Sequence, residues 1–77
     1  MQLTKETLRI IKKKFGLNLK EVREQKGLTQ LELATLCDSE VTTISRIENG
    51  RTNVTLGTII SLSNALGIDP NELLHNV

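Results

Sequence analysis

The chain has 77 residues, a formal net charge of +1, one cysteine and a single aromatic residue, Phe15. That length admits one small domain with a marginal core. The lone cysteine excludes an internal disulfide and, with no secretory segment in view, points to a reducing, cytoplasmic setting. No apolar run approaches the ~20 residues of a membrane span, and a single ring cannot form the aromatic platform on which single-stranded nucleic acids are usually stacked.

The first helix is expected to start at Thr4 as N-cap. Leu8, Ile11, Phe15, Leu19 and Val22 then recur at three- and four-residue spacing, the signature of one buried helix face. Gly16 interrupts that stripe and weakens the helix without having to end it; Lys26-Gly27 reads as the stop. This segment also holds most of the positive charge. Residues 1–26 carry eight basic side chains against Glu6, Glu21 and Glu24, while the remainder carries only Arg46 and Arg51 against six acids. A basic end on a near-neutral domain suits a polyanionic partner, and equally suits a solvated lysine-rich helix.

Thr29-Gln30-Leu31-Glu32 has the form of a capping box, in which hydroxyl and carboxylate satisfy orphan amides reciprocally. It predicts a second helix to about Leu36. A short turn at Cys37-Asp38-Ser39 leads to a third helix over about Glu40 to Glu48, stopped by Asn49-Gly50. Thr55 can cap a fourth, which Gly67 ends with Ile68 beyond it. Asp69-Pro70-Asn71-Glu72 combines an acidic cap, proline at the first position and a carboxylate at the third. It predicts a short last helix, about 70 to 75, carrying Leu73 and Leu74. The expected fold is all-α: a compact domain of five helices spanning 1–77, with residues 1–15 extending the first helix.

On a helix turning about 100° per residue, Ile44, Ile47 and Glu48 share one side of the third helix. Thr42, Ser45, Arg46 and Asn49 share the other. Two short helices joined by a tight turn make the helix-turn-helix pattern, and a polar outer face is what reading base edges requires. The residues strengthen the pattern. Gly27-Leu28-Thr29-Gln30, Leu33-Ala34, Ile44-Ser45-Arg46-Ile47-Glu48-Asn49-Gly50 and Ala65-Leu66-Gly67-Ile68 together resemble the phage repressor and Cro-type (XRE) helix-turn-helix family over residues 19 to 74. The chain departs from it in the turn. Asp38 and Ser39 stand where the family usually has glycine and a branched apolar residue, and Glu40 stands where it has a short capping side chain. Either Ser39 caps the third helix or Glu40 caps it poorly.

The resemblance implies a repressor-like domain of five helices whose third helix enters the DNA major groove. Candidate base-reading residues are Val41, Thr42, Ser45 and Arg46. A guanidinium can donate two hydrogen bonds to guanine; the competing role for Arg46 is a phosphate contact. Val41 can pack on a thymine methyl or simply on the domain rim. Candidate phosphate ligands are Thr29, Gln30, Thr43, Asn49, Arg51, Thr52 and Asn53. The family implies that Gln30 also braces the third helix, and that Arg23 and Glu48 form a partly buried ion pair.

No catalytic, metal-binding or cofactor-binding constellation is expected: His75 is the only histidine, and Cys37 has no histidine near it in sequence. The expected function is a sequence-specific regulator of transcription that binds double-stranded DNA. It would bind a two-fold operator as a homodimer, with half-sites about one helical turn apart. The small size and the leucines of the last helix, taken as exposed, motivate the dimer. Two other readings stay open: an antitoxin that binds a toxin and represses its own operon, and a controller protein of a restriction–modification system. No membrane partner is expected.

Overall fold

A threonine hydroxyl starts three of the helices. In the computed structural model, which describes residues 4–77, α1 spans Lys5–Gln25, α2 Gln30–Leu36, α3 Val41–Glu48 and α4 Leu56–Leu66. Thr4, Thr29 and Thr55 each accept a hydrogen bond from the backbone N–H three residues on, at 3.0, 3.0 and 3.1 Å, satisfying one orphan donor of each first turn. The Thr29–Glu32 capping box is complete. These bonds hold the Glu32 carboxyl below its ordinary range, so the box weakens as pH falls through that lowered value. The start of α3 is different. Glu40 occupies the N-cap position in extended conformation, and its carboxylate makes no capping bond.

All four helices end the same way. Just beyond each helix one residue returns its N–H to a carbonyl five residues back, at Leu28 to Arg23, Ser39 to Ala34, Arg51 to Arg46 and Ile68 to Ser63. This closure needs a left-handed residue just before it. Three ends use glycine, at Gly27, Gly50 and Gly67; at the end of α2 the position falls to Asp38, with φ 53°. Asp38 therefore takes the place of the glycine that the resembling family has in its turn, and it pays with strain, since a left-handed non-glycine residue costs about 1–2 kcal/mol. Part of that is offset by the greater freedom of glycine in the unfolded chain. Asp38→Gly is accordingly expected to raise stability by up to about 1 kcal/mol, seen as a higher urea midpoint with unchanged slope.

Among the described residues nine form the core: Phe15 and Leu19 of α1, Leu33 and Ala34 of α2, Ile44 and Ile47 of α3, Leu62 and Leu66 of α4, and Leu73. α2, α3 and α4 thus contribute two apolar core positions each, and α3 lies against both α1 and α2. The first turns of α1 reach beyond the core, leaving Leu8 exposed and Ile11 half-buried.

The last element corrects two expectations. It is not a fifth α-helix but a single 3-10 turn, Pro70–Glu72. Its start signals work, since Asp69 and Glu72 form a capping box. The following N–H groups bond three residues back instead of four, Leu73 to Pro70 and Leu74 to Asn71. Asn18 of α1 fixes the chain that follows, its Nδ2 donating to Leu73 O at 2.9 Å and to His75 O at 2.7 Å. Nor are both leucines exposed, because Leu73 is wholly buried and only Leu74 faces solvent. Among the described residues no helix is long and apolar enough to cross a membrane.

Candidate nucleic-acid interface

The sequence VTTISRIE divides α3 into two faces. Ile44, Ile47 and Glu48 are buried, Thr42 and Arg46 are exposed, and Ser45 is half-buried between them. Among the described residues the Arg46 guanidinium has no ion-pair partner, unlike Arg9 and Arg23. Val41 stands at the exposed start of the helix, 39% accessible. These four side chains lie on or beside the outer face. Thr43 does not join them. It is exposed but borders a crevice with Asp38, Ser39, Thr58 and Ser61, between the turn and α4.

The inner face is tied to both neighbouring helices through one carboxylate. Arg23 donates from Nε to Glu48 Oε2 at 2.6 Å and from Nη2 to Glu48 Oε1 at 3.0 Å. Gln30 Nε2 donates to the same Oε1 at 3.0 Å. The third Arg23 nitrogen, Nη1, ties the loop between α1 and α2 back to α1 by donating to Leu28 O at 2.7 Å. The hydrogen bonds that Arg23 donates to Glu48 raise its pKa above its already high ordinary value. One cluster therefore joins the last turn of α1, the first residue of α2 and the last residue of α3. Gln30, a candidate phosphate ligand, is held by the helix whose position it shares. The Leu28 carbonyl is a partner that sequence reasoning missed, and a backbone acceptor leaves no signal in residue identity.

The remaining candidates flank α3. Thr29 uses its hydroxyl oxygen as the α2 cap, which leaves the hydroxyl proton free to donate at a helix N-terminus, a favourable place for an anion. Asn49 turns its amide back onto the helix end, donating to Ser45 O at 2.8 Å. The second N–H of that amide makes only a long contact, 3.4 Å, to Ser45 Oγ, so it can turn to a phosphate while the first keeps Ser45 O. Arg51 projects into solvent, Thr52 is half-buried, and Asn53 is exposed beside α1, in a groove with Lys12 and Val54. Cys37 closes α2, half-buried, and burial pushes its thiol pKa up. A thiol so placed is a packing group, not an activated nucleophile.

Sequence comparison extends this picture. A family model described as Helix-turn-helix (HTH_3) matches residues 19–73. The control protein C.BamHI of Bacillus amyloliquefaciens is 43% identical over 61 residues, covering 78% of this chain and 75% of its own. The control protein C.MunI of Mycoplasma sp is 40% identical over 68 residues, covering 87% of this chain and 92% of its own. Among solved structures, the restriction-modification controller protein C.AhdI from Aeromonas hydrophila aligns with a TM-score of 0.79 and 42% identity, covering 80% of this chain and 94% of that one.

Proposed function

Because the chain belongs to the helix-turn-helix family of DNA-binding transcriptional regulators, we propose that it recognises a particular duplex sequence by laying α3 in the major groove. The observation that carries this reading is the division of α3. Its inner face is held by the core and the Arg23–Glu48–Gln30 cluster, while Thr42 and Arg46 stand free on the outer face. A rigidly held helix with an unpartnered guanidinium on its outer side is suited to bidentate contact with guanine. Thr42, Ser45 and Val41 supply the neighbouring contacts. Thr29, Gln30, Thr43, Asn49, Arg51, Thr52 and Asn53 are the proposed phosphate ligands, with Thr43 and Asn53 at the periphery. Such a role puts the protein with the chromosome in the cytoplasm.

The protein would act as a homodimer on a two-fold operator. Leu56 and Ile60, one turn apart on α4, are 71% and 45% exposed and give a second copy apolar surface to cover. Selection from a random duplex pool, with the mass of the complex measured, tests sequence preference and stoichiometry together. A monomer on single half-sites would overturn the dimer. Arg46→Ala is expected to relax the preference at one base pair by about 1–3 kcal/mol. Uniform weakening on all sequences would instead make Arg46 a phosphate ligand.

Similarity to control proteins over three quarters or more of their length favours one narrower reading. In it, the chain is the controller of a restriction–modification system. The selected duplex should then match a site upstream of the genes of such a system, and a reporter driven from that site should respond to the protein.

A further inference from the structure

Residues 5–18 of α1 precede the segment matched by the family model, and the contacts proposed above make no use of them. Lys5, Arg9, Lys13, Gly16 and Lys20 follow one another at spacings of four, four, three and four, so they form a single line along the helix. The glycine shows where that line points. A Cβ built on Gly16 would lie 2.6 Å from the carbonyl oxygen of Glu48, at the end of α3. One turn earlier, Lys13 closes on Gly50, where an added Cβ would meet Lys13 Cγ at 2.9 Å and Cα at 3.0 Å. The adjacent Lys12 shares a groove with Asn53. Two consecutive lysines thus straddle loop 50–53. The one acid on this part of α1, Glu6, is engaged by Arg9 at 2.6 Å. Among the described residues neither Lys12 nor Lys13 has an acidic partner.

We propose that Lys12 and Lys13 bind the phosphate backbone of duplex DNA beside the stretch reached by loop 50–53, so that α1 grips the flank of the operator. This rests on the reading of α3 as the groove-binding helix. Loop 50–53 directly follows α3 and carries Arg51, so a duplex seated on α3 brings its backbone to this loop and to the lysines packed on it. Compact ammonium groups suit phosphates met at varied angles. They add affinity that depends on salt but carries no sequence information.

The test uses the full chain and a duplex that the wild type recovers from a random pool, prepared with long flanks and trimmed to the preferred core. The double variant Lys12→Gln/Lys13→Gln keeps each Cβ and Cγ, and so the packing on Gly50, while removing both charges. On the flanked duplex it is expected to bind on the order of tenfold more weakly, with a salt slope shallower by about 1–2 and unchanged base preference. On the trimmed duplex its deficit should vanish, because the wild type loses the same contacts. Lys14→Gln removes a like charge about 100° further round α1, away from Gly16, and should leave the slope unchanged. The proposal is overturned if the double variant keeps the wild-type slope, or if Lys14→Gln reduces the slope as much. It also falls if the double variant only melts earlier, which would confine Lys13 to stabilising the carbonyl end of α3. Failure of the wild type to select any duplex is a separate result, seen before any variant is made, and it removes the DNA-binding reading as well.

Discussion

Gly16→Ala is expected to destabilise the domain severely, against the direction that helix propensity alone gives. Alanine in a helix interior is favoured over glycine by about 1 kcal/mol, and α1 continues on both sides of Gly16. The obstacle lies in α3. The new methyl would sit 2.6 Å from Glu48 O, 2.8 Å from Glu48 C and closer still to Ile47 O. These are backbone atoms, so no rotamer change can clear them. Either α1 and α3 separate, opening the core around Phe15 and Ile47, or the end of α3 unwinds. Overpacking of this kind costs about 1–3 kcal/mol even where side chains can yield. Here a net loss of at least about 2–3 kcal/mol is expected, against a total near 4–11 kcal/mol for a chain of this size. Gly57→Ala supplies the control. Its added methyl meets only Thr55 Oγ1, at 3.9 Å, so it should stabilise α4 by about 0.5–1 kcal/mol. Urea denaturation should therefore move the two midpoints in opposite directions, and movement in the same direction would remove the clash argument. Any folded Gly16→Ala protein must hold α3 differently and should lose duplex affinity as well.

This contrast also shows what was readable in the chain. Caps at Thr4, Thr29, Thr55 and Asp69 and stops at Gly27, Gly50 and Gly67 are contacts within a few residues, and they follow from side-chain chemistry at fixed offsets. The inward and outward faces of α3 follow from helical rotation. What escaped depends on residues distant in sequence. Gly16 registers locally as a weak point, and only the backbone of residues 47 and 48 reveals it as a close approach. The last helix has correct start signals, yet it stops after one 3-10 turn, and the residues that follow are tied to α1 by Asn18, which lies 55 residues from Leu73. The left-handed conformation of Asp38 has no glycine to announce it. In the candidate site, the pairing of Arg23 with Glu48 came from family resemblance, since helical rotation shows only that Glu48 turns inward. The placing of Thr43 near α4 and Asn53 near α1 required the neighbouring helices themselves.

Arg23→Ala is the second change expected to cost most of the folding energy, although it removes a charged residue. The side chains of Arg23 and Glu48 are only 9% and 2% exposed. Desolvating both is expensive, so the intact pair need not stabilise the fold more than two apolar residues of similar size would. Removing one partner is another matter. Without Arg23, Glu48 keeps a single donor, Gln30, for a buried carboxylate, and Leu28 O loses the guanidinium bond that ties the loop between α1 and α2 to α1. Breaking a buried pair in this way costs about 3–5 kcal/mol, whereas Lys26→Ala, at an exposed position, should stay within about 0.5 kcal/mol of wild type. Equal melting temperatures for the two variants would show that the buried pair has no structural role. A double-mutant cycle separates the pair from the penalty of an orphaned charge. Arg23→Met with Glu48→Leu should be destabilised by less than the sum of its two single changes, the difference being about 2–3 kcal/mol. The double variant also removes the acceptor that holds Gln30 against α3. If the cluster positions the recognition helix as well as supporting the core, this protein should regain stability while still binding the selected duplex more weakly than wild type. Recovery of both together would mean that the cluster acts on folding alone.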